Sequence, residues 1–304
     1  MIDILNIMEI KMNNITKRLF LTPLNIIYLI SPKFALQLIF LIKQRHKLNL
    51  NVPKSYNEKL QWIKLYDHNP LMPKCCDKYE VRSFVKECHC EKILNNLIWE
   101  GYDPEKIPFD KLPTKYVIKA THGSTFNIIC DNSKKIDRQK TIKQCKKWLQ
   151  EDKFLPCYGE WFYGIIKPRI IIEDYIESTD DNQLRDYKVF CFNGEPKLIR
   201  VDTDRFTDHK DSIFDTEWNL LKDKHMGHGC GNRVIKKPEK LKELLNYARI
   251  FSKPFLHARV DFYITRDRII FGEITFTNGA GFDRFSSHDF DVQIGNYLKL
   301  PINK

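Results

Sequence analysis

Several features that would assign this sequence to a class at once are missing. It contains no internal repeat and no low-complexity tract. Hydrophobic residues make up 42% of the chain and charged residues 29%, a balance that argues against a disordered or fibrous protein. The 304 residues are enough for one large domain or for two lobes that share a cleft.

A disulfide framework and a secretion signal are also missing. The nine cysteines are an odd number without the spacing of a disulfide scaffold, and no signal-peptide cleavage site follows a short basic region. Both observations favour a protein of the reducing cytoplasm. Cys75, Cys76, Cys88 and Cys90 lie around His89, but their spacing matches no tetrahedral zinc site, so we interpret them as small buried hydrophobes.

No apolar run is long enough to span a bilayer. Residues 18–43 are the most apolar part of the chain, but Ser31-Pro32-Lys33 divides them into runs of about ten residues, whereas a span needs ~20. Two interpretations stay open. The pair of helices lies on an anionic membrane face, which its basic flanks suit, or it is a hairpin packed on the body of the protein.

Negative charge is in short supply. Lys and Arg outnumber Asp and Glu by 50 to 39, which gives a net charge of +11 and favours anionic partners such as nucleotides, acidic polysaccharides or anionic lipids. The lysines are scattered, and the chain has neither a Cys-His finger nor an RNA-reading aromatic signature. We therefore expect no nucleic-acid partner.

Helical patterns dominate before residue 104. Residues Ser55 to Glu58 match a capping box, and Asp77 to Lys86 predicts a further helix. Asn69-Pro70 and Met72-Pro73 interrupt the helical pattern between them. Three prolines from Pro104 to Pro113 indicate a boundary.

Short strands dominate after that boundary. They are rich in β-branched and aromatic residues. Helical sequence patterns separate them at Arg138 to Gln150 and Pro238 to Phe251. This mixture predicts an α+β architecture of packed layers. The predicted strands are Tyr116 to Lys119, Asn127 to Cys130, Arg169 to Glu173, Tyr187 to Phe192, Lys197 to Val201, Ala258 to Ile264 and Ile269 to Ile274.

The first chemical motif is a strand that ends in Lys119 and continues into Thr121-His122-Gly123-Ser124. A strand-borne ammonium and a turn rich in N–H and hydroxyl groups can hold a phosphate. The lysine precedes the glycine, so this is not a Walker loop. An ordinary exposed turn is the alternative.

A second motif combines two strands. The apolar strand Arg169 to Glu173 ends in acids whose neighbourhood can bind an adenine edge and a ribose; the alternative is a strand end with solvated charges. Further on, Asp186 and Lys188 alternate onto one face of a strand that is followed by the turn Asn193-Gly194. A carboxylate and an ammonium on one face suit a ribose and a phosphate.

The third motif is a predicted hairpin. Its strands contain Arg259, Asp261 and Glu273, and adjacent antiparallel strands would set the two carboxylates side by side. Such a pair needs a cation between its members, and Mg²⁺ that bridges to phosphate oxygens is the usual one. Arg259 can stabilise charge on a transferring phosphoryl group. In the alternative, Arg259 and Asp261 pair only with neighbours.

These motifs occur in an order that resembles the ATP-grasp fold. The phrases SYNEKLQWIKLYD, CDKYEVRSFV, YVIKATHGS, RIIIEDYI, DYKVFCFNGEPK, RVDFY and FGEITFTNGAGF are similar to the TupA-like ATP-grasp family of cell-surface polysaccharide biosynthesis. The resemblance extends from about Asn51 to Pro301 and implies two α+β lobes that clasp ATP, with ATP and Mg²⁺ as cofactors.

The resemblance also implies roles for individual residues. Lys119, Thr121, His122, Gly123, Ser124 and Thr125 would bind the ATP phosphates, Glu173, Asp174, Tyr175 and Ile176 the adenine, and Asp186 and Lys188 the ribose and phosphate. Asp261, Glu273 and Thr275 would hold the metal, Arg259, Lys188 and His122 would act in catalysis, and Arg200, Arg205, Asn278 and Arg284 would meet the substrate. The implied domains are an apolar helical segment (1–50), a helical support region (51–112), a small lobe with phosphate loop and hinge (113–176), and a large lobe with the metal site (177–304).

Two departures from the family pattern concern the loop and the metal. Thr125 stands where the phosphate loop usually has a second glycine, so the flexibility of the loop is in question. Thr275 stands where ATP-grasp enzymes commonly place asparagine, although the TupA-like pattern itself has threonine there. A hydroxyl is a weaker ligand for Mg²⁺ than an amide oxygen, and Asn278 or water would complete the shell.

The expected activity is ATP-dependent carboxylate–amine ligation through an acyl-phosphate. An amino acid or amine would be joined to a uronic-acid-type sugar in capsule, teichuronopeptide or other surface polysaccharide biosynthesis. One alternative is a glycosyltransferase that binds a metal through Asp202 and Asp204, with Arg200 and Arg205 beside them. The other is a non-catalytic membrane-associated scaffold that binds ATP without hydrolysing it.

Overall fold

The computed structural model describes residues 14–123, 125–133, 136–151, 155–177, 184–203, 210–227, 229–231 and 235–302. Eight α-helices lie in these ranges: α1 (Asn14–Ile30), α2 (Pro32–Gln44), α3 (Tyr56–Tyr66), α4 (Leu71–Cys76), α5 (Val81–Glu87), α6 (Arg138–Gln150), α7 (Leu241–Ser252) and α8 (His288–Gly295). The predicted α+β class is confirmed, because two sheets accompany the helices.

The smaller sheet has four strands in the order β1-β4-β2-β3, all antiparallel: β1 (Leu97–Gly101), β2 (Tyr116–Ala120), β3 (Asn127–Cys130) and β4 (Ile170–Asp174). No strand was predicted at β1, nor at residues 210–215 and 229–230 of the larger sheet. A separate hydrophobic core lies between this sheet and α6, with Trp148 of the helix stacked on Phe126. The small sheet is therefore packed as a unit with its own interior.

The larger sheet has six strands in the order β10-β9-β5-β6-β7-β8: β5 (Asp186–Phe192), β6 (Glu195–Thr203), β7 (Lys210–Asp215), β8 (Gly229–Cys230), β9 (His257–Ile264) and β10 (Ile269–Thr275). β5 is buried along its whole length. The turn between β5 and β6 has the predicted form, because Asn193 and Gly194 both adopt positive φ, as a two-residue hairpin turn requires. The largest core cluster packs this sheet against α3 to α5 and α7.

Helices α1 and α2 form a hairpin. Ser31 caps α2 by accepting a hydrogen bond from the Phe34 amide. Ala35, Leu36, Ile39 and Phe40 form its buried face, so one side of the hairpin packs on the protein. Within the described ranges, neither this hairpin nor any other helix is long and apolar enough to cross a membrane.

The region before β1 differs from the prediction in one place. A single helix was predicted for Asp77 to Lys86, but α4 ends at Cys76 and α5 starts at Val81. The Asp77 carboxylate accepts hydrogen bonds from the amides of Tyr79 and Glu80 at 2.7 and 2.9 Å. A short acidic side chain that binds the next backbone N–H groups competes with a continuous helix.

The capping box and the cysteine interpretation are confirmed. Ser55 and Glu58 exchange their hydrogen bonds at the start of α3. Cys75, Cys76 and Cys90 are buried in the main core, and Cys88 packs against it. All nine cysteines are free thiols.

Candidate active site

A row of charged residues crosses the large sheet. Glu273 on β10 lies opposite Asp261 on β9, Asp261 lies opposite Lys188 on β5, and Lys188 lies opposite Arg200 on β6. Directly opposed residues of adjacent strands share one face of a sheet. The predicted meeting of Asp261 and Glu273 is thus observed, and Gly272 permits it, since a Cβ there would lie 2.9 Å from the Asp261 carbonyl oxygen.

Arg259 lies between the two carboxylates. Its Nε and Nη2 donate to Oδ1 and Oδ2 of Asp261, both at 2.7 Å, and Nη2 also donates to Oε1 of Glu273 at 3.0 Å. Its Nη1 donates to the side-chain oxygen of Asn278. A bidentate pair of this kind is strong and geometrically specific. The guanidinium therefore holds Asp261, Glu273 and Asn278 in place through direct hydrogen bonds.

The two acids differ in their electrostatic environment. Burial raises the pKa of the Asp261 carboxyl to about 6, although Arg259 opposes the shift. Burial would also raise the pKa of Glu273, but Lys78 and Arg259 hold it below its ordinary value. The Glu273 side chain is 41% exposed. At Asp261 the effect of burial thus outweighs the pairing with Arg259, whereas Glu273 faces the open side of the site.

Lys188 is the cation at the centre of the row. It forms an ion pair with Asp186 two residues earlier on β5, another with Asp202 on β6 at 3.0 Å, and lies 4.0 Å from Asp261. Arg200 lies 3.1 Å from Asp202 and donates to the Met226 carbonyl at 2.9 Å. The predicted face with Asp186 and Lys188 therefore exists. Asp202 is held there by two cations, and Asp204 lies outside the described residues.

In the small sheet, Lys119 is bound to the predicted hinge, residues 173–176. Its Nζ donates to Oε2 of Glu173 at 2.7 Å, and Arg82 of α5 donates to Oε1 at 3.0 Å. Two cations thus share one carboxylate that is almost fully buried. The pairing sets Lys119 beside the strand end that was predicted to bind adenine.

The rest of the hinge is partly committed to the protein. The Asp174 amide donates to the Asn96 carbonyl, and the Asp174 carbonyl accepts from the Asn95 side chain. Tyr175 has the ammonium of Lys115 over its ring. Asp174, Tyr175 and Ile176 are all half-buried.

The predicted phosphate loop follows β2. The Thr121 side chain is fully buried, and its hydroxyl has no hydrogen-bond partner among the described residues; the same holds for Nδ1 of His122. The other ring nitrogen of His122 lies 3.0 Å from the Glu151 carbonyl oxygen, and burial lowers the pKa of this histidine. Thr125 has φ +65°, a left-handed conformation that disfavours β-branched residues. The position where the family usually has glycine therefore keeps the backbone geometry of glycine, and Ser124 lies outside the described residues.

Lys78 connects the two sheets. Its Nζ donates to the Gly123 carbonyl in the phosphate loop at 2.9 Å and lies 3.8 Å from Oε2 of Glu273. Its amide also donates to the Thr121 carbonyl. The loop after β2 and the Glu273 carboxylate of β10 therefore both lie within reach of the Lys78 ammonium.

The turn after β10 is held from several sides. Asn278 is buried between Arg259 and Asp283, to whose carboxylate its amide group donates. Gly279 and Ala280 adopt positive φ. The Thr275 hydroxyl donates to Glu273 at 3.3 Å. Of the predicted substrate residues, Arg284 is exposed, whereas Arg205 lies outside the described residues.

Comparison with known proteins identifies the family. A family model described as TupA-like ATPgrasp matches residues 58–299. The chain belongs to the TupA-like ATP-grasp family. The predicted ATP-grasp fold is thereby confirmed. A search of curated proteins gave no match.

Solved ATP-grasp structures are similar at low identity. D-alanine–D-alanine ligase from Bacillus anthracis, complexed with ATP, is 19% identical over 67% of this chain, with a TM-score of 0.40. The corresponding ligase from Helicobacter pylori is 12% identical over 81% of this chain and 70% of its own, with a TM-score of 0.41. The ATP-grasp ligase PsnB with minimal precursor is 11% identical over 72% of this chain, with a TM-score of 0.36. The chain spans 55% of the Bacillus anthracis ligase and 60% of PsnB.

The oxygen atoms at the site are of the type that Mg²⁺ prefers. Asp261 and Glu273 supply carboxylates, Asn278 an amide oxygen and Thr275 a hydroxyl. In the described residues no three His, Cys, Asp or Glu side chains gather into a metal-binding group. These donor types fit a cation that two carboxylates share with phosphate oxygens. Arg259 donates to Asp261, Glu273 and Asn278 in this structure, so a metal bound there would replace some of these contacts.

Two cations of the site escaped the sequence analysis. Lys78 and Arg82 both lie in the phrase CDKYEVRSFV, which is part of the family resemblance but contains no recognised chemical motif. Lys78 pairs with Glu273 of the large sheet and Arg82 with Glu173 of the small sheet. No local sequence pattern predicts these pairs, because both glutamates are far along the chain.

Proposed function

We propose that the protein is an ATP-dependent carboxylate–amine ligase of surface polysaccharide biosynthesis. It would join an amino acid or amine to a uronic-acid-type sugar and act in the cytoplasm. The observation that carries the proposal is the cluster of Arg259, Asp261 and Glu273, linked by Lys78 to the loop at Gly123. Family membership and the positive net charge support an anionic substrate.

The proposed reaction has two steps. A substrate carboxylate oxygen attacks the γ-phosphorus of ATP, the bond to the bridging oxygen breaks, and ADP leaves. The amine then attacks the acyl carbon, phosphate leaves, and an amide forms with loss of a proton from nitrogen. Lys119, Lys188 and Arg259 offset the negative charge that develops in the first step.

The metal and the nucleotide would be held by different sets of residues. Asp261 and Glu273, with Thr275 or Asn278, would hold Mg²⁺, which when bound neutralises phosphate oxygens. Lys119 and the loop at Thr121 to Thr125 would bind phosphates, and the hinge from Glu173 to Ile176 would bind adenine. The Thr121 hydroxyl has no partner among the described residues, which supports a polar ligand at the loop, since buried polar groups normally have a partner.

The contacts of Asp202 disfavour a glycosyltransferase. Its carboxylate is buried against Lys188 and Arg200, so binding a sugar-nucleotide metal would first require breaking two ion pairs. We keep Arg200, Asn278, Arg284 and Arg205 as the proposed substrate side of the cleft. Arg200 would contact the substrate from β6, where it lies opposite Lys188.

The test is nucleotide release by the purified protein. Mg-ATP is supplied with pairs drawn from uronic acids and amino acids, and ADP and phosphate are measured. We expect release that requires both members of a pair, and we expect Glu273→Gln to reduce it by at least about a thousandfold. Glu195→Gln is the matched control, because Glu195 pairs with Arg249 at the surface.

Two results would contradict the proposal. One is Glu273→Gln turning over as fast as the Glu195→Gln control. The other is release of UDP from a sugar nucleotide without ATP consumption, which would establish the transferase. Binding of ATP with no turnover by any pair would favour the scaffold.

A further inference from the structure

The hairpin of α1 and α2 has a surface that the proposed ligase chemistry does not use. Leu29 and Ile30 are 77% and 81% exposed. Ile26 on α1 and Phe34 and Leu41 on α2 are exposed as well. Their spacing puts an outward apolar stripe on each helix. Together with Lys33 we call these five residues the hairpin tip surface.

This concentration of apolar exposure is unusual within the molecule. Of the twelve strongly exposed large hydrophobic side chains among the described residues, five lie between residues 26 and 41. Scattered exposed hydrophobes need no explanation, but a contiguous patch on a soluble domain indicates an interaction site. The opposite face of α2 is buried, so the hairpin is amphipathic with both faces defined.

A groove extends the apolar surface along α2. It has a volume of about 240 Å³ and is lined by Phe34, Gln37, Leu38, Leu41, Lys47 and Leu48. Its walls are largely hydrocarbon, and the exposed Lys47 is the one charged residue among them. This combination suits an acyl chain that ends in an anionic head group.

The charge of the surrounding chain identifies the partner. Residues 10–57 contain no Asp or Glu, whereas they contain eight basic residues: Lys11, Lys17, Arg18, Lys33, Lys43, Arg45, Lys47 and Lys54. The segment thus contributes +8 of the net +11 of the chain. Lys33, Arg45 and Lys47 are exposed. A second copy of this chain would carry the same positive charge and be repelled. An anionic bilayer would instead attract the segment, with a binding free energy of ~1 kcal/mol for each basic residue near its surface.

We propose that the hairpin docks on the surface of an anionic lipid bilayer. Leu29, Ile30 and Phe34 enter the boundary of the acyl region, while Lys33 and Lys47 meet lipid head groups. The hairpin lies on the bilayer and does not cross it, since α2 has only 13 residues and spans about 20 Å against the ~30 Å of the hydrocarbon core. This inference does not depend on the ligase activity, because no hairpin residue lies in the charged row.

Sedimentation with vesicles tests the proposal on the full chain. Vesicles of phosphatidylcholine alone are compared with vesicles that also contain phosphatidylglycerol. We expect binding to the mixed vesicles, and a loss of at least about tenfold in the triple variant Leu29→Ser, Ile30→Ser, Phe34→Ser. The control, Val52→Ser with Ile165→Ser, removes apolar side chains outside the hairpin that are 61% and 66% exposed, and should bind as the unchanged protein does.

A second variant and a mass measurement complete the test. Lys33→Glu with Lys47→Glu should weaken binding to the mixed vesicles and reduce its salt dependence. The proposal is overturned if the unchanged protein ignores the mixed vesicles, or if the tip and control variants bind equally. It is also overturned if light scattering shows a dimer that the tip variant converts to monomer while lipid binding persists.

Discussion

Helix α3 and the α1–α2 hairpin invert the usual distribution of polar and apolar residues in opposite ways. On α3, Asn57, Gln61 and Lys64 are buried, whereas on the hairpin Leu29 and Ile30 face solvent. Hydrophobic residues are normally inside and long charged residues outside. These exceptions are organised, since each set forms one stripe on its helix.

The buried stripe of α3 holds the turn after β10. Gln61 donates to the Gly281 carbonyl at 2.7 Å, and Lys64 donates to the carbonyls of Ala280 and Tyr158 at 2.8 and 2.6 Å. The Lys64 ammonium also lies 4.6 Å from the centre of the Phe282 ring. Because Asn278 begins this turn and touches Arg259, we infer that α3 positions one side of the candidate site.

The most severe loss of stability should come from the buried polar residues of α3. Lys64→Ala removes a buried side chain and its hydrogen bonds to the Ala280 and Tyr158 carbonyls, so we expect the free energy of unfolding to fall by about 3 kcal/mol or more. Urea denaturation at neutral pH measures it. Lys147→Ala, at an exposed position of α6, is the control and should change stability by less than about 0.5 kcal/mol. Equal effects of the two substitutions would show that the buried row of α3 is not structural.

A pH-dependent effect of similar size comes from the first residue of α3. The hydroxyl of Tyr56 lies 2.9 Å from Nε2 of His257, whose Nδ1 lies 2.7 Å from the Phe276 carbonyl oxygen. A carbonyl only accepts, so Nδ1 carries the proton and Nε2 accepts from the tyrosine. Burial lowers the pKa of His257 to about 4.

The sign of the pH effect follows from that lowered pKa. Between the ordinary value near 6.5 and about 4 the unfolded chain binds a proton that the folded chain does not, so stability is complete above 6.5 and falls as the pH drops to 4. We expect His257 to account for a loss of about 3 kcal/mol. His257→Gln keeps both hydrogen bonds without titrating, and urea denaturation from pH 7.5 to 4.5 should show a shallower acid loss for this variant. Parallel pH profiles would exclude a neutral histidine paired with Tyr56.

The sequence predicted the strands that have a strong local pattern. The alternation around Asp186 and Lys188, the turn at Asn193 and the pairing of Asp261 with Glu273 depend on residues close together in the chain, and all three are observed. The same patterns placed Lys119 at a strand end, although its pairing with Glu173 was not foreseen. The functional roles assigned to these residues and the domain boundaries stay predictions.

The buried row of α3 could not be predicted in this way. Helical periodicity assigns Asn57, Gln61 and Lys64 to the solvent face, because their partners are invisible locally: the Ala280 carbonyl lies 216 positions after Lys64. A lysine in the core becomes tolerable only when such partners exist, and burial here still lowers its pKa to about 7. Tertiary contacts therefore decide what local pattern leaves open.

The exposed apolar residues of the hairpin should contribute little to stability. Leu29→Ser with Ile30→Ser removes two side chains that are mostly in water already, so the transfer free energy lost on folding is small. We expect the free energy of unfolding to change by less than about 0.5 kcal/mol per substitution, measured in urea without lipid. A loss of several kcal/mol would mean that these side chains are covered in the folded chain, and the tip would then be part of the core rather than a surface. Near-neutral behaviour in water joined to a loss of vesicle binding is the pattern that separates an interaction surface from a packing defect, because only the former depends on what lies outside the molecule.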